Sequence, residues 1–211
     1  MYISHTFYRL LIVISFLFIS VSLLAEPTLE EVVVSARKVD ESVQDVPIAM
    51  SVFTASDIDD AGIERPEDFI ALTPNVVMAN TVNVGDTLVT IRGLTSTRDA
   101  ESNFAFVVDG VLQTNPNAFN RELLDIAQIE VLKGPQGALY GRNATSGAIL
   151  ITTKAPSEES ESTAVVGMGI NNSSKLQYVN SGMMGDNVYT RFSVSTRETD
   201  GEHTNAFTNS Q

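Results

Sequence analysis

The side chains that usually do covalent or metal chemistry are scarce and badly placed in this sequence. Its two histidines, His5 and His203, sit near opposite ends of 211 residues, and there is no cysteine. That pattern offers no catalytic triad, no multi-histidine metal site, no thiolate ligand and no disulfide. The stretch from Gly134 to Gly147 is rich in glycine but lacks the spacing of a phosphate loop, since Arg142 is followed by Asn143 rather than by Lys and a hydroxyl. Asp57, Asp59 and Gly62 imitate the start of a calcium loop. The fifth position there is Ala61, the twelfth is Asp68, and Pro66 interrupts the run. A formal charge of −13 argues against a groove for phosphate backbones, so no nucleic-acid partner is expected. The composition points away from catalysis.

The elements that would carry such a role come in blocks. Leu10 to Leu24, LLIVISFLFISVSLL, is an apolar run with Arg9 before it and Ala25 after it. It is shorter than the roughly 20 residues of a spanning helix, and its order of charge, apolar core and small residue reads as a signal peptide over residues 1–25. An exported chain without cysteine suits a bacterial envelope, where folding need not rest on disulfides. Residues 26–45 follow as a linker holding Val32, Val33 and Val34, whose stiff side chains favour an extended strand. With polar flanks and no evident turn residue, this strand reads either as a docking element for another sheet edge or as the first strand of the next domain.

From Val46 to Pro156 the pattern is a small α+β unit. VPIAMSVF is a strand, Thr54 and Asp57 form a Thr-x-x-Asp cap, and Gly62 ends that helix. Pro66 and Pro74 bracket a second helix. Leu88–Arg92, Phe104–Asp109, Ile129–Lys133 and Ala148–Thr153 are strand candidates joined by polar loops. After the acidic linker of Glu158, Glu159 and Glu161 the rhythm changes. Ser162–Ile170, Lys175–Met184 and Val188–Thr196 alternate apolar and polar residues across tight turns. Segments of about ten such residues are the signature of an outer-membrane β-barrel, with a soluble meander as the other reading.

Along the chain stand, in order, Glu31-Val32-Val33-Val34-Ser35, IRGL at 91–94, VVDGV at 107–111, IEVLKGPQGALYG at 129–141 and ATSGAILITTK at 144–154. With the signal before them and the barrel-like strands after them, these motifs resemble the N-terminal part of a TonB-dependent outer-membrane receptor of the ferric-siderophore type. It implies an α+β plug domain with a small mixed sheet over 46–156. The first antiparallel strands of a transmembrane β-barrel, incomplete here, would follow over 157–211. The family's barrel has about 22 strands, against about three in this chain.

The resemblance also implies roles. Glu31, Val32, Val33, Val34 and Ser35 would bind the periplasmic domain of TonB by strand addition. Arg92, Lys133 and Arg142 would contact carboxylates of the barrel wall, or else stand as solvated surface charges. Gly93, Gly110, Gly134, Gly137, Gly141 and Gly147 would set backbone turns and close approaches that let a plug pack tightly and still be moved. Arg98, Asn103, Gln113, Asn115 and Asn117, in two loops at the plug apex, would supply charge and hydrogen bonds to an iron-siderophore solute. The expected activity is energised uptake across the outer membrane of a Gram-negative bacterium. The barrel would meet membrane lipid, and no cofactor, metal or enzymatic reaction is expected. A plug acting only in binding or signalling, and a receptor for cobalamin, haem or oligosaccharide, remain the other readings.

Overall fold

The fold is given by a computed structural model that describes residues 31–80, 87–96, 101–185 and 187–200, the Pro116 side chain excepted. The expected signal segment 1–25 and the loop residue Arg98 lie outside the described residues. Among the described residues no helix is long and apolar enough to cross a membrane, which leaves crossing by strands untouched.

A short hairpin opens the chain, β1 (Val33–Val34) against β2 (Glu41–Ser42). Then come β3 (Met50–Thr54), α1 (Ala55–Ala61), α2 (Pro66–Ala71), β4 (Val76–Asn80), β5 (Thr87–Ile91) and β6 (Leu94–Thr95). β7 (Phe104–Val108), β8 (Val111–Leu112), a 3-10 turn at Pro116–Ala118, β9 (Ile126–Lys133), α3 (Gly137–Tyr140) and β10 (Gly147–Thr153) complete the first part. Its central sheet has the order β3-β9-β10-β7-β8, with β10 parallel to β7 and every other pair antiparallel. β4, β5 and β6 form a second small sheet.

The helix boundaries follow from local chemistry. Thr54 caps α1: its Oγ1 accepts from the Asp57 N–H, and the Asp57 carboxylate accepts from the Thr54 N–H at 2.9 Å. Those bonds, the backbone one foremost, hold the Asp57 carboxyl below its ordinary value. Gly62 ends the helix at φ 64, where a side chain would be strained. α2 starts at Pro66 in its first turn. Strand ends depart from the sequence pattern where the backbone turns to positive φ. β5 stops at Ile91 because Arg92 stands at φ 50, and β7 stops at Val108 because Asp109 stands at φ 47. β9 begins earlier than expected, at Ile126.

One face of the central sheet carries Phe104, Phe106, Ile129, Val131, Ile149 and Ile151, packed with Ile58, Phe69 and Ile70 of the helices and Val89 and Ile91 of β5. Phe119 enters this core edge-on to Phe69, Phe104 and Phe106, with centroids 6.3, 5.2 and 5.1 Å away. Burying such a ring contributes roughly 1.5–3 kcal/mol. It also pins the far end of the loop that leaves β8. The opposite sheet face is apolar too: Ala105, Val107, Leu132, Ala148 and Leu150 are all buried. The chain from Val33 to Asp40 runs along that face, with Ser35, Lys38 and Asp40 beside Val107 and Leu150, and Val34 and Ala36 are buried.

The last described part is an antiparallel meander of β11 (Glu161–Met168), β12 (Ser174–Met183) and β13 (Tyr189–Glu198). Its register places Ala164, Tyr178 and Val194 in one row and Val166, Leu176 and Thr196 in the next. This face is solvent-open in the chain alone, with Val166, Met168 and Phe192 exposed. The alternate residues, Thr163, Val165, Lys175, Gln177, Val179 and Arg191, line a cleft of about 430 Å³ against Ile58, Ile63, Asp125 and Ile126.

Candidate functional site: a docked N-terminal strand and a charged seam

The valine-rich segment is tied down, which corrects the expectation that no turn connects it to a neighbour. Ser35 to Lys38 makes the turn: the Lys38 N–H donates to the Ser35 carbonyl at 2.7 Å, with Lys38 itself at φ 61. Lysine rarely adopts that conformation, so residue type gave no warning. Glu31 is exposed and Val32 half-buried; Val33 is half exposed at 49% and Val34 is buried. Ser35 donates twice to Oε1 of Glu130, from its N–H at 3.0 Å and its Oγ at 3.2 Å. Gln128 Nε2 donates to the Val33 carbonyl at 3.0 Å, and Tyr140 Oη donates to the Ala36 carbonyl at 2.8 Å. Glu130 is 2% exposed, and its Oε2 has no partner among the described residues. Burial pushes the Glu130 carboxyl above its ordinary value, and the two Ser35 donors oppose that rise. Burial, with the Glu130 charge nearby, pushes the Tyr140 hydroxyl up to about 12.

The glycine-rich stretch makes the support for this docking. Gly134 turns the chain out of β9 at φ 112, and its N–H donates to the Ser146 carbonyl at 2.9 Å. Gln136 N–H reaches the Ala144 carbonyl, closing a compact loop around α3, which presents Tyr140. Gly141 leaves α3 at φ 85. Gly147 works differently, since a Cβ there would stand 2.2 Å from the Leu132 carbonyl oxygen. Gly93 and Gly110 complete turns at φ 82 and 77, while Gly137 has ordinary backbone and open space around it.

The three expected basic contacts lie apart from the meander. Lys133 Nζ donates to Ser51 Oγ at 3.0 Å and to the Pro74 carbonyl at 3.3 Å. Burial, and then the nearby Arg92, lower its affinity for a proton. Arg92 Nη1 lies 3.1 Å from where a Cβ on Gly134 would stand. Arg142 pairs at 3.0 Å with Glu101, both well exposed. Of the apical residues, Asn103 is held internally: its Oδ1 accepts from Ser96 Oγ and Ser146 Oγ, and its carbonyl accepts the Ser146 N–H. Gln113 N–H donates to the Phe106 carbonyl, and Asn115 caps the 3-10 turn by accepting from the Asn117 N–H at 3.0 Å.

The ion pairs that join the first part to the meander were missed by sequence reasoning, and they run in the opposite sense. Carboxylates stand on the α+β unit and cations on the meander. Arg191 grips Asp125 with Nε and Nη2, the latter at 2.7 Å, and within the meander itself reaches Glu161 of β11 with Nη1 at 2.6 Å. Lys175 pairs with Glu64 at 2.8 Å, and Arg197 also meets Glu64. The signal was present in the period of two, which puts Lys175 on one strand and Arg191 and Arg197 on the next along the same polar face.

A mixed-sheet domain carrying a docked N-terminal strand, seated on the polar face of an antiparallel meander with an apolar outer face, is a plug with the first strands of its wall. The model of the TonB-dependent receptor plug domain matches residues 42–148, and the chain belongs to that family. It is similar to the pesticin receptor of Yersinia enterocolitica, 31% identical over 132 residues, covering 62% of this chain and 19% of that protein. The vitamin B12 transporter of Vibrio vulnificus is 28% identical over 184 residues, covering 84% of this chain and 29% of that one. Among solved structures, the ferric yersiniabactin uptake receptor of Yersinia pestis superposes with a TM-score of 0.72 at 27% identity, covering 77% of this chain and 26% of that one. The chain thus spans about a fifth to a third of the length of these relatives.

Proposed function

We propose that this chain is the N-terminal part of a TonB-dependent outer-membrane receptor for energised uptake of a ferric siderophore or similar iron complex in a Gram-negative bacterium. Residues 1–25 are its signal, 26–45 carry the segment recognised by TonB, 46–156 form the plug and 157–211 begin the barrel. The observation that carries the reading is the short strand Val33–Val34, held across the central sheet of a plug by the side chains of Gln128 and Glu130, with the plug seated on a meander that has an apolar outer face. Such a strand gives TonB main-chain hydrogen bonds for affinity and alternate side chains for register. The exposed face carrying Val166, Met168, Phe192 and Val194 suits lipid, and the inner cations suit the plug. The relatives are named as a receptor, a transporter and an uptake receptor, and this chain is read as a non-enzymatic one.

Arg92, Lys133 and Arg142 remain proposed contacts to further wall strands, and Arg98, Gln113, Asn115 and Asn117 proposed solute contacts. Asn103 joins them with its main role inside the loop. Cobalamin is the second reading for the solute, favoured by the similarity to a vitamin B12 transporter. The test is Val33→Pro in the receptor. Proline removes a backbone donor, so TonB capture and energised uptake are lost while solute binding survives. Unchanged TonB capture and uptake contradict the assignment.

A further inference from the structure

Residues 33–36 lie over a carboxylate that no longer meets water. Glu130 belongs to β9, faces the same side of the sheet as Leu132 and Leu150, and is 2% exposed. One oxygen takes both donors of Ser35, while the other has no partner among the described residues. A buried carboxylate with one oxygen unsatisfied is held at a cost. The groups that surround it leave that cost standing. Gln128 Nε2 is 3.5 Å from the oxygen that Ser35 already uses. Tyr140 spends its hydroxyl on Ala36, and Asp40 repels the carboxylate. Of the cations that follow Ala36, Lys38 stacks over the Tyr140 ring at 5.7 Å and Arg37 pairs with Glu41 at 3.2 Å.

We propose that Glu130 is the latch of the N-terminal segment: it captures Ser35 to hold residues 33–36 on the sheet, and its unpartnered oxygen biases the segment toward release. The same residue therefore positions the segment and limits how tightly it is held. When the segment lifts, water reaches both carboxylate oxygens, which offsets part of the apolar surface uncovered at Leu132, Leu150 and Val107. A neutral side chain of the same shape keeps the acceptor and removes the charge, so it holds the segment more firmly. Loss of the Ser35 hydroxyl leaves the charge with one Ser35 donor and the long Gln128 contact, and loosens the segment. The docking equilibrium stands without TonB. Its use as a gate rests on the reading of residues 31–35 as the TonB segment.

The absence of native cysteine makes the test direct. Ala36, with no exposed surface, is replaced by cysteine in the full chain, and the rate of maleimide modification of that thiol at one pH reports how often the segment lifts. Exchange of the Ser35 amide in the cysteine-free chain is the second reporter. Glu130→Gln slows both by about tenfold, and Ser35→Ala speeds modification of the Ala36→Cys chain by about tenfold, the scale of a hydrogen bond to a charged group. In the Glu130→Gln background the effect of Ser35→Ala shrinks. Faster or unchanged rates in Glu130→Gln overturn the latch, as does a Ser35→Ala effect equal in both backgrounds. TonB is absent throughout, so a failed latch and a failed TonB assignment are read separately.

Discussion

Replacing Asp125 by asparagine tests whether the plug is held to the first wall strands by charge. Asp125 stands at φ 57, a conformation that asparagine tolerates as well as aspartate, so backbone strain does not enter. Its side chain is 7% exposed and that of Arg191 is 12%, and two parallel hydrogen bonds join them. Asparagine removes the charge and sets an N–H group against the guanidinium. Breaking a buried pair costs about 3–5 kcal/mol when the remaining charge has no other partner. Arg191 keeps Glu161, but that carboxylate is 51% exposed and well solvated, so we expect a loss of about 2–3 kcal/mol. Glu161→Gln, the control on the exposed arm of the same guanidinium, costs at most about 1 kcal/mol. The assay is urea unfolding of the full chain, comparing midpoints at constant slope. Equal midpoints for the two variants refute the claim that the buried arm of this pair holds the seam.

Three further outcomes are expected, two from the geometry and one from the proposed solute contacts. Gly147→Ala destabilises by about 1–3 kcal/mol because the methyl meets the Leu132 carbonyl. Gly137→Ala, with open space and helical backbone, is neutral or gains up to about 1 kcal/mol, so thermal melts separate them in sign. Burial raises the Glu130 carboxyl, so its contribution to the docked state is complete below the ordinary carboxylate range and is lost as pH rises through the raised value. Asp40, Lys38 and Tyr140 are the charged or titratable groups around it, and Glu130→Gln separates its titration from theirs. Ser35 amide exchange, corrected for intrinsic rate, therefore slows as pH falls toward the ordinary carboxylate range, and Glu130→Gln abolishes the trend. In solute binding to the receptor, Arg98→Ala or Asn115→Ala weakens affinity by roughly 1–3 kcal/mol if either contact is desolvated. Unchanged affinity in both moves recognition to the barrel.

Much of the plug was legible because its signals are local. The Thr54–Asp57 cap, Gly62, Pro66 and the period-two strands each act within a few residues. The docking of the N-terminal segment was hidden because Ser35 and Glu130 are 95 positions apart and the turn uses Lys38 in place of glycine. The seam was half legible. Alternation places Lys175, Arg191 and Arg197 on the polar face, but it does not say that Glu64 and Asp125 lie opposite. The glycines show the same limit, since Gly147 is required by a carbonyl of the neighbouring strand rather than by its own dihedral angles.

The central claim, that residues 31–35 are handed to TonB as an added strand, is tested most directly by a cysteine walk. Single cysteines replacing Glu31, Val32, Val33, Val34 and Ser35 in turn are cross-linked to one cysteine in the periplasmic domain of TonB. Strand addition predicts yields that alternate with a period of two, since successive side chains point to opposite faces. A flat profile, or one absent at all five positions while TonB still binds the receptor, contradicts it.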